Sequence, residues 1–284
     1  MHKIYQNTLF YLVVFCVTYF IYVYPFEILN ELIFSEKPNR RSSFYYTIII
    51  SVLIIFYFRS YASLKPLRIF IYEGMGIGFI SFWIMTFANL INMILNISSY
   101  FIGIVSLFII IILTLISFIF GFKINFKNIN IKSNKISKNL SFVFFSDVHL
   151  GSNNIKHLNK ILSKLNNKKF DFLLIGGDLI DSSSFVIENL KIIKKKINCP
   201  IFFVTGNHEY YIKNSNAKID EINNIGIKHL SNTNLEINNI NLIGIDDNLT
   251  KEQQIEIVKN KHELNQFNIT LIHKSSIWDK VQNY

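Results

Sequence analysis

Charged residues are scarce in this sequence, and so is cysteine. Of the 284 residues 17% are charged, against roughly 25% in an average soluble domain. The two cysteines lie far apart, one in an apolar run and the other beside a proline, so no disulfide framework can be proposed. The 50% hydrophobic content excludes a disordered chain, and the 11 glycines exclude a collagen-like repeat. The composition is therefore typical of a membrane protein.

The shortage of charge is concentrated at the N-terminal side. Residues 1–120 carry seven Lys or Arg and four Glu, whereas the remaining 164 residues carry 22 basic and 15 acidic side chains. Two parts in contact with different solvents are implied. We predict a transmembrane helical anchor over residues 1–122, a basic linker over 123–140 and a water-soluble domain over 141–284.

Four apolar runs within the anchor, 8–26, 43–58, 75–95 and 101–120, are free of charges. Each is close to the roughly 20 residues that a helix needs to cross the hydrocarbon core of a bilayer. The second run is the shortest. The runs predict a bundle of about four transmembrane helices and hence an integral protein of the cell membrane.

Basic residues beside the runs predict the orientation of the chain. With a cytoplasmic N-terminus, three basic residues lie outside, namely Lys37, Arg40 and Arg41. Nine lie inside, namely Lys3, Arg59, Lys65, Arg68, Lys123, Lys127, Lys132, Lys135 and Lys138. Because cytoplasmic flanks are enriched in Lys and Arg, this count favours a cytoplasmic C-terminal domain. If the second run does not span, that domain lies on the opposite side.

The net charge of +10 suits an anionic lipid surface or a nucleic acid. No aromatic and basic nucleic-acid motif accompanies it, so we expect no nucleic-acid partner. We interpret the lysine run Lys194, Lys195 and Lys196 as a solvated helix end.

From residue 141 onwards the periodicity changes to short β-branched and aromatic runs that alternate with helical patterns. The runs 141–145, 170–175, 201–205 and 269–272 predict strands, and the apolar spacings over 155–165 and 186–193 predict helices. Alternating strands and helices indicate an α/β domain with a largely parallel sheet covered on both faces. Such sheets bind ligands at the carboxyl ends of their strands.

Polar residues follow each of these predicted strands. They are Asp147 and His149, then Gly177-Asp178, then Gly206-Asn207-His208-Glu209, and finally His273. Carboxylates and imidazoles are the ligands that Mn, Fe or Zn ions prefer, and glycine lets the backbone turn sharply towards an ion. Each motif alone is weak, but four in order, each after a strand, predict a metal site.

In these motifs the chain resembles the calcineurin-like metallophosphoesterases, whose ordered blocks include D-x-H, G-D, G-N-H-[DE] and H. The resemblance covers about residues 141–284 and implies an α/β sandwich. The sequence Gly244-Ile245-Asp246-Asp247 and the four apolar runs resemble the membrane-anchored bacterial branch of that family.

The resemblance also implies roles for these residues. Asp147 and His149 would bind one divalent metal ion, Asn207 and His273 a second, and Asp178 would bridge the two. His208 would protonate the leaving oxygen of a phosphate-ester substrate. Two such ions, Mn, Fe or Zn, supply hydroxide at neutral pH and clamp the oxygens of the displacement at phosphorus.

One block of the family, a final G-H-x-H with two further metal ligands, is missing between His273 and Tyr284. We therefore expect a C-terminally incomplete domain that leaves three protein ligands for each ion and one sheet edge exposed. The expected function is a membrane-anchored phosphoesterase acting on a phosphate ester or pyrophosphate, and a lipid-linked phosphate is one candidate substrate. The alternative is a catalytically impaired remnant that acts as a membrane binding protein.

The remaining histidines of the soluble part lack such context. We predict surface positions for His157, His229 and His262.

Overall fold

The computed structural model describes residues 2–60, 65–121 and 123–282. The chain divides into two compact units, Met1–Lys123 and Ile124–Tyr284. The first unit is helical and the second combines helices with two sheets.

The helical unit contains five α-helices in its described residues. They are α1 (His2–Thr18), α2 (Tyr24–Phe34), α3 (Arg40–Ser60), α4 (Lys65–Ile94) and α5 (Ser99–Gly121), with one π-helical turn over Tyr19–Val23 that joins α1 to α2. Among the described residues four segments are long and apolar enough to cross a membrane, namely Thr8–Phe34, Arg40–Arg59, Pro66–Ile94 and Ser99–Gly121. The four predicted apolar runs are therefore confirmed as long apolar helices.

The first apolar segment extends to Phe34, eight residues beyond the predicted end. The extension includes Glu27, whose carboxylate accepts hydrogen bonds from the Tyr19 hydroxyl at 2.8 Å and from the Ser43 hydroxyl. Because these hydroxyls satisfy the acid within the bundle, the charge does not end the helix. Gly103 allows α5 to approach α2 closely, since a Cβ there would lie 2.7 Å from Ile33 Cγ1.

Among the described residues of the second unit, seven strands form two sheets. In the first sheet, β1 (Phe142–Phe145), β2 (Phe172–Gly176), β3 (Ile201–Val204) and β4 (Lys228–His229) are all parallel and adjacent in that order. In the second sheet, β6 (Ile240–Ile245) pairs antiparallel with β5 (Thr233–Ile237) and parallel with β7 (Phe267–Ile272).

Over residues 124–282 six helices and one 3₁₀ turn accompany these strands. The helices are α6 (Ile155–Ser163), α7 (Lys191–Lys196), α8 (Asn207–Tyr211), α9 (Ser215–Asn224), α10 (Lys251–Lys261) and α11 (Trp278–Val281), and the 3₁₀ turn is Ile187–Leu190. Asn154 caps α6 by accepting from the Lys156 N–H, and Thr250 caps α10 by accepting from the Gln253 N–H.

The alternation of side chains along the strands builds three apolar layers. Leu173 and Ile175 of β2 face α6 and α7, whereas Phe172 and Leu174 of the same strand pack between the sheets against Leu242. The outer face of the second sheet packs on α10 and α11. The order is helices, sheet, sheet, helices, which confirms the predicted α/β sandwich. The second face of the parallel sheet is covered by another sheet.

Candidate metal centre

The predicted site residues all follow strands that end at one edge of the sandwich. Asp147 and His149 follow β1, Asp178 follows β2, Asn207 and His208 begin α8 after β3, and His273 follows β7. We call this the acidic edge, because six acidic residues lie in the segments that follow the strands there. They are Asp147, Asp178, Asp181, Glu209, Asp246 and Asp247.

The loops after β1 and β2 run side by side and hold their side chains in place. The Asp147 N–H donates to Gly177 O at 3.1 Å and the His149 N–H donates to Asp178 O at 2.9 Å. Asp147, His149 and Asp178 have φ angles of 57°, 50° and 52°. Left-handed backbone is uncommon for residues other than glycine, and its strain concentrates at functional sites.

Two glycines make room for Asp178. A Cβ on Gly206 would collide with the Asp178 carboxylate, and a Cβ on Gly177, whose φ is +87°, would lie 2.6 Å from Gly206 N. Glycine is therefore required at both positions by close approach, and at Gly177 also by its positive φ.

Glu209 holds the ends of β2 and β3 together through hydrogen bonds to the backbone that follows them. Its carboxylate accepts N–H groups from Asp178 at 2.9 Å, Ile180 at 3.0 Å and Gly206 at 2.7 Å. The side chain is fully buried, and this burial raises its pKa. This acid of the third motif therefore positions the backbone of both Asp178 and the Gly206-Asn207 turn.

The Asp178 carboxylate is the point on which the histidines converge. Its Oδ1 accepts the His208 backbone N–H at 3.0 Å. Its Oδ2 lies 3.3 Å from His273 Nε2, 3.7 Å from His149 Nε2 and 3.9 Å from His208 Nε2. Asp178 is only 3% exposed, so water screens these contacts weakly.

The hydrogen bond of His273 determines which of its nitrogens can bind a metal. Nδ1 lies 2.9 Å from Gly176 O, and since a carbonyl only accepts, Nδ1 carries the proton. In the neutral ring Nε2 then presents a lone pair to Asp178. His149 is arranged similarly, with Nδ1 3.5 Å from Asp181 Oδ2 and Nε2 3.7 Å from Asp147 Oδ1. Such outer partners orient the histidine ligands of metal ions.

This set of lone pairs fits divalent ions. The ligand atoms of Asp147, His149 and Asp178 lie within 4.8 Å of one another, and those of His149, Asp181 and His208 form a second such group. Carboxylate oxygens that face imidazole lone pairs repel one another unless a cation or a proton lies between them. Borderline ions such as Mn, Fe or Zn bind this mixture of oxygen and nitrogen donors.

His208 lies towards the open side of the site. Its side chain is 38% exposed, its ring meets the His149 ring edge to face with centroids 4.6 Å apart, and Tyr211 lies 5.5 Å away on the other side. Asn207, the first residue of α8, is half-buried.

Sequence reasoning missed Asp181 and misjudged His229. Asp181 lies in the loop after β2, where its Oδ1 accepts the Ser152 N–H at 2.8 Å beside His149. The surface position predicted for His229 is wrong, because its side chain is 15% exposed and Nε2 donates to Asp246 Oδ1 at 2.8 Å. His157 and His262 are half-buried, so the exposed positions predicted for them are not confirmed either.

The second unit matches a known protein family. The family described as calcineurin-like phosphoesterase matches residues 140–281, half of the chain. An uncharacterized metallophosphoesterase of Helicobacter pylori (strain J99) is 38% identical over 80 residues, which are 27% of this chain and 22% of the relative.

A relative in Campylobacter jejuni, also named an uncharacterized metallophosphoesterase, is 34% identical over 91 residues, 30% of this chain and 24% of the relative. The matched segment thus spans less than a quarter of either relative's length. On the strength of the matched domain and the site it contains, the chain belongs to the calcineurin-like phosphoesterase family.

Proposed function

We propose that this protein is a metal-dependent phosphoesterase that hydrolyses a phosphate ester or pyrophosphate while its apolar helices hold it in a membrane. The observation that carries the proposal is the convergence of three histidine Nε2 atoms on Asp178 Oδ2. Family membership gives the reaction class, and the arrangement supplies a donor set suited to it.

Five side chains would hold two ions. Asp147 and His149 would bind one, Asn207 and His273 the other, and Asp178 would contact both. Ions bound there would lower the pKa of water and would neutralise the charge of the phosphoryl oxygens. Three contacts orient these side chains: His273 Nδ1 with Gly176 O, Asp181 with His149, and the Glu209 carboxylate with the Asp178 N–H.

His208 is suited to give a proton to the leaving oxygen. It is the most exposed of the three converging imidazoles, so its ring reaches the space that a substrate enters. Its backbone N–H is tied to Asp178 Oδ1 at 3.0 Å, which holds the residue beside the ligands. General acid catalysis of this kind contributes about 10²- to 10⁴-fold in rate.

Membrane attachment is supported by the four long apolar segments. A cytoplasmic position of the phosphoesterase unit is supported by the excess of Lys and Arg in the flanks on that side. A lipid-linked substrate stays a prediction of the sequence.

A turnover assay on the full chain in nanodiscs tests the proposal. Metal-stripped protein should hydrolyse chromogenic phosphate monoesters or diesters only after Mn²⁺, Fe²⁺ or Zn²⁺ is added. His208→Gln should lower kcat at least about 100-fold while the bound metal is retained.

The matched control is His157→Gln, which changes a half-buried histidine on α6 and should leave kcat unchanged. Protein that binds metal at the site and hydrolyses none of these esters would contradict catalysis and favour the binding-protein alternative.

A further inference from the structure

Charge is distributed unevenly between the two ends of the strands in the second unit. The acidic edge lies at the carboxyl ends. Lysines gather at the opposite end, where α6 and α7 finish and β2 and β3 begin. We call this the basic edge, and it comprises Lys164, Lys168, Lys169, Lys194, Lys195 and Lys196. Asp171 lies two residues after Lys169, just before β2, and its carboxylate accepts the Ser141 N–H at 2.8 Å.

Contacts between α6 and α7 join these lysines into one surface. Lys196 Nζ donates to Ser163 Oγ at 3.2 Å, which ties the last residue of α7 to the last residue of α6. Lys164, Lys168, Lys169, Lys194 and Lys195 are exposed. Five ammonium groups therefore reach solvent from one end of the fold.

The segment that enters this unit lies against the same lysines. Lys164 Nζ donates to Ile124 O at 2.5 Å, and Lys168 Nζ lies 4.6 Å from the centroid of the Phe126 ring. This segment continues to β1 with four further lysines, Lys127, Lys132, Lys135 and Lys138. The entry point of the chain is thus part of the basic edge.

The stretch of chain between α5 and this edge is short. Gly121 ends the apolar helix α5, and Ile124 follows three residues later. Three residues span at most about 11 Å when fully extended. If α5 spans the membrane, the contact between Ile124 and Lys164 cannot lie far from the headgroups at that end of the helix.

We propose that the basic edge binds anionic phospholipid headgroups of the membrane in which the apolar helices lie. The inference rests on the membrane anchoring proposed above. Lysine ammonium groups are compact charges that pair with lipid phosphates, and anionic lipids are concentrated in the cytoplasmic leaflet. The basic residues that flank the apolar runs predict that the second unit lies on this cytoplasmic side.

This docking decides which substrates reach the site. The five residues of β2, at about 3.3 Å each, separate the two edges by about 15 Å. With the basic edge on the headgroups, Asp178 and its histidines face the water. The substrate class is then a water-soluble phosphate ester, and a phosphate on a lipid of the same bilayer is out of reach.

Energy transfer from the protein to headgroup-labelled lipid in nanodiscs tests the docking. The full chain carries Cys16→Ser and Cys199→Ser, with a donor dye at Asn166→Cys near the basic edge or at Ser184→Cys near the acidic edge. In nanodiscs with about one third phosphatidylglycerol, transfer should be greater from position 166. It should fall at least about twofold in phosphatidylcholine nanodiscs or at 1 M salt, where charges are screened within about 3 Å.

Charge reversal supplies the matched controls. Lys194→Glu with Lys195→Glu should lower transfer from position 166, whereas Lys213→Glu with Lys251→Glu, remote from the basic edge, should not. The inference would be overturned if the transfer efficiency did not change with lipid charge or with the first pair of substitutions. A greater transfer efficiency from position 184 would also overturn it. Protein that does not co-elute with nanodiscs would contradict the anchoring itself, and the docking with it.

Discussion

Asp178 and Asp246 are two buried carboxylates at the acidic edge, 3% and 2% exposed, with opposite surroundings. Asp246 Oδ1 accepts from Thr205 N at 3.2 Å, the Thr205 hydroxyl at 2.7 Å and His229 Nε2 at 2.8 Å. Its Oδ2 accepts from the Ser231 hydroxyl at 2.7 Å. Donors therefore satisfy both oxygens of Asp246.

Within the described part of the chain, Asp178 has one such donor, the His208 N–H on Oδ1, while Oδ2 faces histidine nitrogens. In the neutral ring of His273, the lone pair of Nε2 points towards another acceptor only 3.3 Å away. A buried carboxylate surrounded by donors is part of the scaffold. A buried carboxylate that faces lone pairs is suited to bind a cation. The groups that surround the two carboxylates therefore distinguish their roles, whereas their burial does not.

Asp178→Asn should have the largest effect. The substitution removes the charge that both ions would share, so we expect kcat/KM to fall at least about 100-fold and metal affinity to fall with it. The side-chain oxygen still accepts the His208 N–H, so folding should change little. Turnover and bound metal, measured on the full chain in nanodiscs, check this prediction.

Asp220→Asn changes an exposed aspartate on α9 and serves as the control. Normal turnover and metal content in Asp178→Asn would erase the distinction between the two carboxylates.

Asp246→Ala should instead destabilise the fold. It leaves the buried Thr205 N–H without its partner, a loss of about 1–3 kcal/mol in unfolding free energy. Hydrogen exchange of the β6 amides in the full chain measures that loss locally. Bound metal should be retained. If metal is lost while β6 protection is unchanged, Asp246 belongs to the metal site.

The sequence predicted most of the residues that the structure brings together around Asp178, because their motifs follow strands. Asp147, Asp178 and His208 each come directly after an apolar run, and parallel strands bring their carboxyl ends to one edge. Local patterns were sufficient for these residues. The strand β4 has only two residues, which is too short for a periodic pattern. The strands β5 and β6 are joined by Asn238 and Asn239 alone, and the apolar pattern did not predict either of them.

Contacts between distant residues could not be read in this way. His229 on β4 and Asp246 after β6 are 17 residues apart and meet because the two sheets pack against each other. Asp181 has no motif of its own and faces His149 because the loops after β1 and β2 run in parallel. A histidine judged by its neighbours in sequence is therefore placed at the surface by default.

The smallest expected effect is in the pH dependence of Asp246. Burial by itself would raise the pKa of this carboxyl, but the hydrogen bonds from His229, Thr205 and Ser231 outweigh it and lower the pKa below its ordinary value of 3.8.

A carboxyl with a lowered pKa stabilises the fold above its unfolded-state pKa, and this stability is lost as pH falls through the folded-state pKa. The free-energy difference between the wild-type chain and Asp246→Asn should thus be present at pH 5 and shrink below about pH 4. Hydrogen exchange of the β6 amides measures the difference at each pH, with Asp220→Asn as the exposed control. A difference that persists unchanged to pH 3 would mean that Asp246 contributes through its shape alone, and its hydrogen bonds would then no longer distinguish it from Asp178.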